Sequence, residues 1–201
     1  MSPTNARGDR RAREIERTRQ DILESAARVF ARGGFGAATV QAIAREAGFT
    51  AASLYTYFSS KDEIFEGLRE DMRRRVLATF DAPVPAGLSF AQQLELLLQR
   101  QLALVVERMD SLRVFFERPP ALVEERALRA TLFQRLVTFL ENAAGPRGLR
   151  LPPREAGLAL MGLVHGVVIS WVAGDEPPDP QRLAGRLVDV FLHGVAGPEV
   201  P

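Results

Sequence analysis

The chain has 201 residues, 46% apolar and 25% charged, enough for one large or two modest domains with a real core, and disorder of the whole is not expected. It holds no cysteine and two histidines, His165 and His193, which excludes disulfides, a thiolate nucleophile and a cysteine-bound zinc. Net charge is +1 and marks no nucleic-acid binder by itself, but residues 1–80 carry fourteen basic and eleven acidic side chains while the remainder carries twelve and fourteen.

The opening MSPTNARGDRRAR is basic with no apolar segment behind it, unlike a secretory signal, so a cytoplasmic location is expected. Residues 1–13 read as a flexible basic tail. From Glu14 to Arg32, the residues Ile22, Ala26, Val29 and Phe30 recur at helical spacing until Gly33-Gly34 stops them. Thr39 precedes Val40, Ile43, Ala44 and Ala47, a short helix closed by Gly48. Thr50 can then cap a second short helix through Tyr57, with Leu54 and Phe58 as inward anchors. Elements this short do not persist alone in water and must be held by packing.

Ser60 and Glu63 form a capping-box pattern, opening a connecting helix over 61–80 with Ile64, Phe65, Leu68, Met72 and Val76 on one face. Pro83, Pro85 and Gly87 make a corner, and Ser89 with Gln92 repeats the capping pattern before Leu94, Leu97, Leu98, Leu102, Val105 and Met109. A short element around 112–116 is cut by Pro119-Pro120, and a long helix marked by Leu128, Leu132, Leu136 and Leu140 ends near Gly145-Pro146. Pro152-Pro153 opens a helix over 154–173 that is apolar on every side. It reads as a segment buried nearly all round by protein rather than as a membrane span. Asp179-Pro180 starts the last helix, with Leu183, Leu187, Phe191 and Val195. The fold expected is all-α, with about nine helices: a three-helix helix-turn-helix unit at 14–60, the connecting helix at 61–80, and a C-terminal helical bundle at 81–197.

Two short helices joined by Ala47-Gly48-Phe49 make the helix-turn-helix pattern, whose second helix is narrow enough to enter the DNA major groove. Ala51, Ala52, Ser53 and Thr56 are the candidates to face the groove. None is Arg, Asn or Gln, so direct base readout is thin, and specificity leans on Gln41, Arg45, water and DNA shape. Arg17 and Arg19, with the tail before them, are candidates for the DNA backbone or a minor groove, and a solvated tail accounts for residues 1–13 equally well. Lys61 follows Ser60 at a helix start, where free amides favour phosphate.

The stretch Thr39-Val40-Gln41-Ala42-Ile43-Ala44-Arg45-Glu46-Ala47-Gly48-Phe49-Thr50, then Leu54-Tyr55-Thr56-Tyr57-Phe58 and Lys61, resembles the DNA-binding signature of the tetracycline-repressor (TetR) family. Ile22-Leu23, Ala26-Ala27, Phe30 and Gly34 resemble that family's first helix. The resemblance covers about residues 15–70. Phe49 and Ala52 depart from the valine and glycine frequent at those positions. The resemblance implies a homodimeric regulator, usually a repressor, bound to a near-palindromic operator. It implies phosphate contacts from Thr39, Thr50 and one or both of Tyr55 and Tyr57, and a small-molecule effector pocket between residues 89 and 173.

Met109, Phe115, Phe116, Phe133, Phe139, Met161, His165 and Trp171 are candidates to line such a pocket for an apolar or aromatic effector, although each suits an ordinary core. His165, set among Val164, Gly166 and Val167, needs a polar partner if buried. Gly157, Gly162 and Gly166, with Leu183, Leu187, Phe191 and Val195, are candidates for the dimer interface, with intramolecular core as the alternative. No catalytic residue, metal site, cofactor or membrane partner is expected. An activator of the same fold is the alternative function, followed by a helical interaction module without DNA binding. The module would leave the register from Thr39 to Lys61 without a reason.

Overall fold

A computed structural model describes residues 3–117, 122–145, 149–174 and 179–194. The fold is all-α, and no strand occurs among the described residues. The helices are α1 (Pro3–Ala37), α2 (Val40–Glu46), α3 (Ala51–Tyr55), α4 (Lys61–Asp81), α5 (Phe90–Glu107), α6 (Met109–Glu117), α7 (Leu122–Ala144), α8 (Pro153–Ala173) and α9 (Pro180–His193). They sort into one unit of residues 1–72 and 110–119 and another of 73–109 and 120–201.

In the first unit, Ile22, Ala26 and Phe30 of α1 meet Ile43 and Ala44 of α2, Leu54 of α3, Phe58, and Ile64, Phe65 and Leu68 of α4. Val114 of α6 is buried in the same core. Phe35 lies 5.2 Å from Phe30 and 5.1 Å from Phe65, and Phe115 lies 5.7 Å from Phe65, all tilted or edge-on contacts that aromatic rings favour. Each fully buried ring or branched side chain stabilises the unit by about 1.5–3 kcal/mol, which is how helices of seven and five residues persist. Residues 3–13, expected as a flexible tail, instead continue α1 as helix. Ala12 and the arginines at 10, 11 and 13 are good helix formers, and Arg13 Nε donates to the Asp9 carbonyl at 3.1 Å.

In the second unit, Leu94, Leu97, Leu98 and Leu102 of α5 form a core with Leu136 and Leu140 of α7, Leu160 and Trp171 of α8, and Leu187 and Val188 of α9. Ser89 caps α5 with both halves of its box made: Gln92 N donates to Ser89 Oγ at 3.4 Å, and Ser89 N donates to Gln92 Oε1 at 2.9 Å. Asp179 Oδ1 accepts from Gln181 N at 2.9 Å and caps α9.

Burial of α8 on nearly every side is not what the fold provides. Ala156, Gly157, Leu160 and Trp171 face the core, whereas Leu158, Ala159, Gly162, His165, Gly166, Ile169 and Ser170 are exposed. A helix apolar all round has no periodicity to tell which face its own chain covers. By length and composition alone, α8 is the one described helix apolar enough to cross a membrane.

Candidate nucleic-acid interface

The entry to α2 is set by Thr39, in extended conformation, whose Oγ1 accepts from Ala42 N at 3.1 Å. At the other end Gly48 turns the chain with φ of 76°, a left-handed conformation that costs glycine little. Thr50 repeats the cap on α3: its Oγ1 accepts from Ser53 N at 3.1 Å and lies 2.9 Å from Ser53 Oγ. Phe49 in the turn meets Tyr57 edge-on, ring centroids 6.2 Å apart, so the residues before and after α3 are joined by packing.

Leu54 and Phe58 are buried, while Ala52, Ser53, Tyr55 and Thr56 are exposed, Tyr55 by 50%. The outward surface of α3 is therefore small and polar, with one aromatic ring. Thr56 Oγ1 spends its proton on the Ser53 carbonyl at 2.7 Å, which leaves its oxygen as an acceptor toward a base N–H. Arg17, Thr39, Gln41, Arg45 and Thr50 are exposed as well, and Ala51 and Tyr57 are half-buried.

Two cations expected on DNA are occupied elsewhere. The Lys61 ammonium donates to the carbonyls of Phe35 (2.7 Å), Gly36 (3.3 Å) and Ala38 (2.8 Å), and sits 4.4 Å from the centre of the Phe35 ring. Its three donors match three acceptors, two of them carbonyls that the end of α1 leaves without helical partners. The Arg19 guanidinium donates to the Tyr57 carbonyl and lies 4.0 Å over the Phe58 ring. The capping box before α4 is shifted too. Glu63 N donates to Ser60 Oγ at 3.1 Å, but the Glu63 carboxylate accepts from Ser59 N and Ser59 Oγ, each at 2.6 Å.

Residues 22–68 match the family of bacterial regulatory proteins named for tetR. The chain is similar to the uncharacterized HTH-type transcriptional regulator YdgC of Bacillus subtilis, 28% identical across 89% of this chain and 92% of that one. It is similar to the HTH-type transcriptional repressor BepR of Brucella suis, 24% identical across 92% and 95%. It also resembles the solved structure of FadR from Bacillus subtilis in complex with stearoyl-CoA, with a TM-score of 0.66 at 20% identity over 88% of this chain and 99% of the other. The chain carries a TetR-family regulatory domain over residues 22–68. It is a transcriptional regulator and not an enzyme.

An ion-pair clamp joins the α1 and α2 of this TetR-family head. Arg28 Nε donates to Glu46 Oε1 at 2.9 Å, and an Arg32 terminal nitrogen donates to Glu46 Oε2 at 2.5 Å. The hydrogen bond from Arg32, then that from Arg28, holds the Glu46 carboxyl below the ordinary glutamate range. The hydrogen bonds from the Ser59 hydroxyl and amide lower Glu63 in the same way. A carboxylate lowered on folding contributes stability that is present above its unfolded pKa and lost as pH falls through the folded one. Melting temperature should therefore drop between about pH 5 and about pH 3, and Glu46→Gln, flatter over that window, should narrow its gap from the parent chain. Parallel curves would remove Glu46 from the acid response.

Of the eight residues expected around an effector, four belong to or pack against the second unit's core and the other four do not. Phe115 packs in the first unit, and Phe116 is exposed. Met109 and Trp171 are buried in the second core, with Phe139 and Met161 packed partly against it. Phe133 lies beside Gly157, under the Arg154 guanidinium at 5.3 Å. His165 is exposed, so no internal partner is required of it. Two shallow concavities, of about 390 Å³ at residues 29–46 and about 360 Å³ where Leu96, Arg100 and Ala103 meet Asp179–Gln181, include none of the eight.

Among the dimer candidates, Gly162 and Gly166 stand open on α8. Gly157 instead packs inside the chain, where an added Cβ would come within 3.2 Å of Phe133 and 3.3 Å of Val137. Leu187 is core, and Leu183 and Phe191 pack partly against it, because α9 lies along α5 and turns Arg182, Arg186 and Asp189 outward. Val195 lies outside the described residues. Leu158 and Ile169, exposed beside the open glycines, were not singled out in the sequence, since nothing in a uniformly apolar run distinguishes them.

Proposed function

We propose that this chain is a homodimeric, ligand-responsive repressor that binds a near-palindromic operator through the major groove and acts in the cytoplasm. The observation that carries the reading is the disposition of α3: Leu54 anchors it inward while Ala52, Ser53, Tyr55 and Thr56 face out. A helix of this width with small outward side chains can approach base edges closely, and the caps at Thr39 and Thr50 direct helix N-termini that suit phosphate. One head makes few contacts, so affinity rests on two heads related by a two-fold axis, with the apolar outer face of α8 as the joining surface.

Repression is supported by the similarity to BepR, named a repressor. An effector with an apolar body is supported by the fold shared with FadR, which holds stearoyl-CoA, and by the apolar interior of the second unit. Ligand acts by favouring one arrangement of the dimer over another.

Selection of bound duplexes from a random pool by the full chain tests the reading, and recovery of no consensus would overturn it. On the recovered duplex, Thr56→Val should change base preference at one position per half-site by about 1 kcal/mol with little effect on random DNA. Tyr55→Phe should weaken specific and random duplexes alike, by roughly three- to tenfold, if its hydroxyl meets phosphate. An unaltered preference profile removes Thr56 from the readout, and unaltered affinities remove Tyr55 from the backbone contacts.

A further inference from the structure

The helix-turn-helix segment, residues 39–57, is held at both ends by a cation donating to main-chain carbonyls. At the entry, Lys61 binds the carbonyls of Phe35, Gly36 and Ala38, the last of these directly before the Thr39 cap. At the exit, Arg19 binds the carbonyl of Tyr57, two residues beyond α3, and covers the Phe58 ring. Both cations come from outside the segment they hold, Arg19 from α1 and Lys61 from the first residue of α4.

We propose that Arg19 and Lys61 are positioning residues for DNA recognition, which fix the two ends of the helix-turn-helix and so set how α3 is presented, without touching the duplex. The proposal rests on the regulator reading above. Helices of seven and five residues have little rigidity of their own, and their aim depends on what holds their ends. A side chain aimed at a base edge loses its hydrogen bond when displaced by a fraction of an ångström, whereas a phosphate contact tolerates such a shift. Loss of either clamp should therefore reduce specific binding more than general binding.

The test uses the full chain and Arg19→Gln and Lys61→Met variants. Affinity is measured over a salt series for a duplex recovered by selection and for a random-sequence duplex, at a temperature where circular dichroism shows each variant folded. Affinity for the selected duplex should fall roughly 10- to 100-fold, with random-duplex affinity and both salt slopes unchanged. A slope flattened by about 0.9 per phosphate lost, with random binding weakened in step, would make the residues direct contacts and overturn the proposal.

A lowered melting temperature with unchanged affinity of the folded protein would reduce them to packing and overturn it equally. If either variant does not fold, Arg19→Lys and Lys61→Arg carry the test. Arg19→Lys keeps a donor without the planar ring-stacking surface, and Lys61→Arg keeps charge in a fork that does not reach three carbonyls together. Each should show an intermediate loss of specificity, and full parental specificity in both would overturn the proposal. Failure of the unaltered chain to recover any duplex is a separate result that ends the regulator reading, and the proposal with it.

Discussion

Replacing Leu158 with glutamate should break the proposed homodimer and give a folded monomer whose affinity for operator DNA is about 10²- to 10⁴-fold below that of the parent chain. Leu158 is 61% exposed on α8, one turn from Gly162 and on the same face as His165, Gly166 and Ile169, itself 42% exposed. Apart from His165 this face is apolar for three turns, and it carries two open glycines, which let another backbone approach closely. On a two-fold axis each substitution is met twice, and a carboxylate placed in an apolar contact without a partner costs several kcal/mol. The protomer itself should be unaffected, because Leu158 is not part of the second unit's core.

Sedimentation of Leu158→Glu should report half the parental mass, with an unchanged helical spectrum. Binding should lose its dependence on two half-sites and keep the weak affinity of one head. A dimer that survives the substitution with full DNA affinity would place the interface elsewhere, and the outer face of α8 would need another explanation.

What could be read from the chain follows from how local each signal is. Thr50, Ser89 and Asp179 act on amides two or three residues away, so residue type and spacing were enough to find them. The inward set of the first unit, from Ile22 to Leu68, was legible because one buried face on each helix leaves a period of three to four. Lys61 was not legible as a clamp, since its partners lie 23 to 26 residues earlier and a lysine at a helix start looks equally suited to phosphate.

Arg19 failed for the same reason, with its acceptor 38 residues later. The stripe on α9 was correctly seen as apolar. Its direction was not contained in the pattern, because an interface within the chain and one between copies present the same residues. The proposed effector pocket is the hardest case: aromatic residues that fill a core and residues that line a cavity have the same composition, and only their placement separates them.

Leu54→Ala should destabilise the head by about 3–4 kcal/mol, within the range for leucine truncation at a buried site. Leu54 is fully buried and is the only buried side chain on the five-residue α3. The backbone of α3 gains little from its own hydrogen bonds at that length, so removal of its anchor frees the element whose outer surface is proposed to read DNA. Thr50 would still cap the helix in principle, but a cap is worth about 1 kcal/mol and does not offset the lost packing.

Because the second unit has its own core, Leu54→Ala should keep the proposed association between copies while specific DNA binding is lost. Hydrogen exchange should show early opening of amides at residues 51–58 with protection of α5, α8 and α9 retained. Exchange unchanged at 51–58, with specific binding intact, would mean that α3 is held by something other than Leu54. The outward presentation of Ser53, Tyr55 and Thr56 would then need a different support.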